Sequence, residues 1–186
     1  MTYASFWQRF WASIIDAFIL LAVSLPVFWV ESFSRTLAVM LVVPMSALYL
    51  GYNVYCHGRF GQTIGKREER IKVVKLNGDP IGWREAWLRN SVDIGFAVLR
   101  SIAYFVALLS IADSAYYDVG WMERTKNIEA LMPSWWRSVD VLNSVWVWSE
   151  VVVMLLNRKR RALHDFIAGT VVIALPKTSN AKVPAA

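Results

Sequence analysis

The run from Phe6 to Val30, FWQRFWASIIDAFILLAVSLPVFWV, is long enough to cross a bilayer yet carries Arg9 near its start and Asp16 further inside. A helix of about 20 mostly apolar residues spans a hydrocarbon core of roughly 30 Å. A carboxylate placed inside one costs a few kcal/mol unless it is paired or hydrated. Asp16 therefore demands partners. Arg9 and Asp16 are seven residues apart, so they share a helix face with about 10 Å of rise between them, and Ser13 and Ser24 fall on the same side. Direct contact requires Arg9 to bend inward.

The other segments fit the same setting. Leu37 to Cys56 is free of charge and interrupted only by Pro44 and Gly51, which membrane helices tolerate. The link between these first two segments is short and predicts an antiparallel hairpin. From Trp87 to Ala112 the polar residues Asn90, Asp93, Arg100, Ser101 and Tyr104 recur on one helix face, and in Val139 to Leu156 so do Asp140, Asn143, Ser144 and Glu150. At 56% hydrophobic with ten Trp, the chain is too apolar for an ordinary soluble domain of 186 residues. The expected fold is all-α: a four-helix transmembrane bundle with helices at about 6–30, 37–56, 87–112 and 139–156. Residues 1–176 are read as one membrane domain and 177–186 as a frayed tail.

Orientation follows from the cations. Of the 20 Lys and Arg, only Arg35, Arg100, Arg124, Lys126 and Arg137 lie outside three groups: Arg9, the stretch Arg59 to Arg89, and the residues after Asn157. The charge bias of membrane loops puts both termini and the loop 57–86 in the cytoplasm and the aromatic, acidic segment 113–138 outside. The formal charge of +6, concentrated on the inner face, suits anionic lipid and needs no nucleic acid. Within the inner loop, Ile71 to Leu76 followed by Asn77-Gly78 and Asp79-Pro80 predicts a short strand or hairpin. Ala162 to Ala168 reads as a short interfacial helix and Val171 to Leu175 as a second strand, so the two regions form a small cytoplasmic cap. Phe6 to Val30 is longer than a signal-peptide core, is not followed by a small-residue cleavage pattern, and is read as retained.

Three pieces in this order, FWQRFWASIID, GQTIGKREERIKVV and RRALHDFIAGTVV, resemble the RDD family of small bacterial membrane proteins, named for one arginine and two aspartates. By that resemblance the arginine is Arg9, the first aspartate Asp16 and the second Asp165. The resemblance implies location in the bacterial cytoplasmic (inner) membrane and a group sometimes associated with transport and in part with sodium/proton exchange. Two departures stand out: Glu68-Glu69 occupies a place where the family often has leucines, and 113–145 adds an acidic, aromatic segment and a fourth helix.

Gly61 to Lys66 is not a phosphate loop, since three residues rather than four separate its glycines and Arg67 stands where Mg²⁺ coordination needs Ser or Thr. It reads instead as a tight turn that returns Lys66 toward Asp165 or Asp16. Arg9, Asp16, Lys66 and Asp165 are thus the expected charge network at the inner mouth of the bundle. Asp93, Arg100, Asp140 and Glu150 are secondary intramembrane polar residues, with Arg100 and Glu150 placed to pair or to line a polar path.

Two readings follow. The network is a lock that docks the cap, or Asp16 is a proton or cation site whose counter-ion is Arg9 or Lys66. The first makes the chain a scaffold or accessory protein binding a partner through its outer segment. The second makes it a cation transporter or transport subunit, which in so few helices without an inverted repeat requires a homo-oligomer or a membrane-protein partner. No enzyme is expected, because no Ser-His or Cys-His arrangement is visible. With one Cys and two His, neither a metal nor any other cofactor is expected.

Overall fold

The computed structural model describes residues 1–176, so the expected frayed tail lies outside the described residues. Ser5 begins the first helix: its hydroxyl accepts from the Gln8 N–H at 3.1 Å while Gln8 Oε1 accepts from the Ser5 N–H at 3.0 Å. This reciprocal cap opens α1, Phe6–Phe33, which continues through Pro26. Ser34 alone makes the turn to α2, Arg35–Phe60, its hydroxyl accepting from the Leu37 N–H at 3.3 Å. The expected link from Glu31 to Thr36 thus contracts to one residue. α2 ends at Phe60, four residues beyond Cys56, and is capped by Gly61, which takes a left-handed φ of 73° and donates its N–H to His57 O at 2.9 Å.

After α3 (Ile64–Glu68) and β1 (Ile71–Lys75) comes α4, Trp83–Ser110, which starts before the expected Trp87. Glu85 Oε2 accepts from the Gly82 N–H at 2.8 Å, so the amphipathic turn from Trp83 is wound onto the helix. The segment 113–138 holds two short helices, α5 (Asp113–Tyr117) and α6 (Trp121–Ala130), and leads into α7, Trp136–Leu156. The described residues close with α8 (Leu163–Ile167) and β2 (Thr170–Ala174).

Helices α1, α2, α4 and α7 are each long and apolar enough to cross a membrane. Their outward residues are correspondingly apolar: Phe18 and Trp29 are 67% exposed and Leu156 82%, side chains that lipid rather than water would solvate. α2 and α4 pack along each other most extensively, with α1 against α2 and α7 against α4. The fold is therefore the expected helical bundle with a small sheet.

The sheet corrects one detail. The Asn77-Gly78 turn forms, with Gly78 N–H donating to Lys75 O at 2.9 Å and Lys75 N–H to Asp79 O at 2.8 Å, but the local hairpin stops at a single bridge between Val74 and Pro80. Proline has no N–H with which to extend a ladder. β1 pairs instead with β2, antiparallel, Ile71 opposite Ala174 and Lys75 opposite Thr170. The N-terminus adds a third edge, Ala4 N–H donating to Val172 O at 3.0 Å and Ala174 N–H to Thr2 O at 2.9 Å. Ala4, Ala12, Ile71, Val73, Ile81 and Val172 form the apolar core of this cap against the first turns of α1. A second core, including Ala38, Val42, Ala107, Leu108, Ile111, Tyr116 and Ile128, closes the opposite end.

Candidate functional site

The cap docks through two carboxylates. Asp165, on α8 and fully buried, is reached from three directions. Its Oδ2 accepts from Arg9 Nη1 of α1 at 2.8 Å and from the Ala162 N–H at 3.0 Å. Its Oδ1 accepts from Arg89 Nη1 of α4 and from Thr170 Oγ1 of β2 at 3.2 Å. Burial alone would raise the Asp165 carboxyl; the guanidiniums of Arg89 and Arg9 beside it outweigh that and hold it well below the usual carboxylate range.

The network continues to α7. Arg89 Nη2 lies 2.6 Å from His164 Nε2. A guanidinium has only donors, so Nε2 is the acceptor and the imidazole carries its proton on Nδ1, which meets Glu150 Oε1. The His164 backbone N–H also donates to Glu150 Oε1, at 3.1 Å. Arg161 clamps the turn that follows, donating to Thr170 O and Asp165 O, each at 2.9 Å, with its guanidinium 4.0 Å from the centre of the Phe166 ring. One short helix thereby ties α1, α4 and α7 together.

Asp16 makes the second lock. Its Oδ1 accepts from Tyr52 Oη of α2 at 2.6 Å and from the Gly65 N–H at 2.8 Å, and its Oδ2 from Thr63 Oγ1 at 2.5 Å. Tyr52 Oη in turn accepts from the Ile64 N–H at 3.1 Å, so the Gly-rich loop is held to both helices of the hairpin. Gly65 is the residue that permits this approach: a Cβ there would stand 2.0 Å from Ala12 O.

The expected four-residue network is therefore two locks. Arg9 bends to Asp165, not to Asp16. Lys66 makes no ion pair with either carboxylate among the described residues; it is partly buried, and burial together with Arg89 pushes its ammonium down to about 8 while Asp16 and Asp165 pull the other way. The secondary residues also separate. Glu150 joins His164 instead of Arg100, because it sits at the cap end of α7. Asp93 accepts from Trp146 Nε1 at 3.1 Å, Asp140 is exposed near the start of α7, and Arg100 lies 5.4 Å from the Trp136 ring.

Sequence reasoning missed Arg89, Tyr52 and Thr63 as site residues. Arg89 falls within the expected helix 87–112, but as one of eight inner-face cations from Arg59 to Arg89 it carries no mark as the partner of Asp165. Also buried without a partner among the described residues are Arg9 Nε and Nη2 and both ring nitrogens of His57. No group of three His, Cys, Asp or Glu side chains among the described residues is arranged to hold a metal ion.

Four membrane-length helices capped by a small sheet, and joined through one arginine and two aspartates, define a polytopic helical membrane protein with a charge-locked cap. The RDD family model matches residues 3–169, and the chain belongs to that family of small membrane proteins. No curated protein and no solved structure matches the chain.

Proposed function

We propose that this chain is a non-transporting scaffold or accessory protein of the bacterial inner membrane, whose buried charges lock the cap and whose segment 113–138 meets a membrane-protein partner. The structural engagement of Asp16 carries this reading. Its two oxygens accept three hydrogen bonds from Tyr52, Thr63 and Gly65, and the carboxylate is only 8% exposed. Protonation would remove the charge that strengthens all three bonds, so cycling through the neutral acid would loosen the loop at each turnover. Exposed Trp121 and Met122 on α6 supply apolar contact area for a partner or for lipid.

The charge bias supports placing the cap and both ends of the chain in the cytoplasm, where Lys and Arg around the cap attract anionic lipid. The test is cation flux in proteoliposomes with an internal pH dye and imposed sodium and potassium gradients, run beside thermal unfolding of wild type and Asp16→Asn. The expected result is no cation-dependent pH change above empty vesicles, with a lower unfolding temperature for the variant. Flux in wild type that is absent from an equally stable Asp16→Asn protein would establish proton-coupled transport instead.

A further inference from the structure

At the end of the bundle away from the cap, a half-open cavity of about 350 Å³ is lined by residues of α1, α2 and α4, together with Met132 and the first residue of α7. That volume falls within the range of roughly 300–1,000 Å³ typical of ligand pockets, which are mostly apolar with a few orienting polar groups. Its lining carries two opposite charges, Glu31 in the last turn of α1 and Arg100 of α4. Neither side chain has a hydrogen-bond or ion-pair partner among the described residues, and they do not pair with each other.

Arg100 starts in the membrane part of α4, but its guanidinium lies 5.4 Å from the centre of the Trp136 ring. That contact draws the charge toward the same end as Glu31, as long cationic side chains do when they seek the interface. Its N–H edges keep their hydrogen-bonding capacity. The hydroxyls divide by role. Ser24 donates to Leu20 O at 2.8 Å, which leaves its oxygen lone pairs free to accept, while Ser46 and Ser101 lie 2.6 Å apart and share a hydrogen bond, so one donates to the other and the second to its own helix carbonyl. The Tyr104 hydroxyl has no partner among the described residues and is free to donate.

The cavity thus presents donors with a fixed positive charge (Arg100, Tyr104) and acceptors with a negative one (Glu31, the serines). Unpaired intramembrane charges are costly, so a guest that completes both gains more than one that completes either. Phe28 belongs to the lining and is 59% exposed, so the space opens at a surface that faces lipid. The molecules always present there are phospholipids. We infer that the cavity receives the headgroup of an aminophospholipid, phosphate at Arg100 and Tyr104, primary ammonium at Glu31 and the serine oxygens, with the acyl chains left in the bilayer. A choline headgroup lacks the N–H donors for Glu31, and a glycerol headgroup lacks the positive charge. This site lies at the opposite end from the cap and does not depend on what the cap lock serves.

The test is native mass spectrometry of the full chain, purified in detergent and titrated separately with phosphatidylethanolamine, phosphatidylglycerol and phosphatidylcholine. Wild type should retain the ethanolamine lipid in preference to the other two. Arg100→Gln should weaken that retention about tenfold, the scale of one lost charge-assisted hydrogen bond. Glu31→Gln should remove the preference for ethanolamine over glycerol lipid while leaving overall retention in place. Soluble glycerophosphoethanolamine should not displace the lipid at equal concentration; if it does, the ligand is a free polar metabolite and the lipid assignment falls. Equal retention of all three lipids by wild type, a measurement that needs no variant to fold, overturns the proposal, as does a preference unchanged in both variants.

Discussion

The two ends of the bundle treat charge in opposite ways. At the cap, Asp16 and Asp165 each accept from several other elements, and Glu150 is joined to His164. At the far end the side chains of Glu31 and Arg100 line one cavity without a hydrogen-bond or ion-pair partner among the described residues. Burial explains the contrast. Asp165 is wholly enclosed, where an unpartnered charge would cost several kcal/mol. Arg100 is exposed and reaches toward an aromatic interface, where its charge is tolerated and remains open for a guest. A charged residue inside a membrane helix is therefore not evidence of transport until its partners are counted.

The contrast can be broken most forcefully at Asp165. Asp165→Asn leaves Arg9 and Arg89 facing one neutral group and should cost on the order of 3–5 kcal/mol. Unfolding of the purified variant in mixed micelles reads it, and a loss below about 1 kcal/mol would mean that the node is not a lock. Gly65→Ala comes next. Its methyl group would press on the Ala12 carbonyl, a backbone atom that cannot swing away, and overpacking of this kind costs about 1–3 kcal/mol. Protease sensitivity of the Gly61–Lys75 loop should rise in step.

Asp16→Asn should cost about 1–3 kcal/mol by weakening three hydrogen bonds. Smaller is the pH effect at Lys66. Its ammonium titrates at about 8 in the fold, below the ordinary 10.5, so the unfolded chain holds more protons between those values and stability rises with pH across that window. Unfolding temperatures recorded from pH 8 to 10.5 should climb in wild type and climb less in Lys66→Met. The least effect belongs to the far end, where Arg100→Gln and Glu31→Gln should each stay within about 0.5 kcal/mol of wild type. A large loss there would erase the contrast altogether.

Hydrophobic runs and charge bias made the four helices legible in the sequence, and the strand at Ile71 and the helix at Leu163 were visible from local pattern. Pairing was not. Arg9 and Asp165 are 156 residues apart and Arg89 and Asp165 76, and a chain with 20 cations does not declare which one a buried aspartate will choose. Helix ends set depth, and depth sets partners. Arg89 lies inside the expected helix 87–112 yet counts among the inner-face cations, and Glu150, expected to pair with Arg100 or to line a polar path, meets His164 at the cap end of α7. Tyr52 and Thr63 carried no signal of their own, because a hydroxyl near a helix end is commonplace until something is seen to need it.

The Arg9–Asp165 pair also imposes an order in time. Arg9 is made early and Asp165 only 156 residues later. At about 5–20 residues per second, roughly ten to thirty seconds of synthesis separate them. Throughout that interval α1 must be accommodated in or near the membrane with its arginine unmatched, and every nascent chain cut short before α8 keeps it so. A helix made this late thus serves as a completion mark for the first, and a chain cut short before it would expose to quality control the guanidinium that Asp165 otherwise engages.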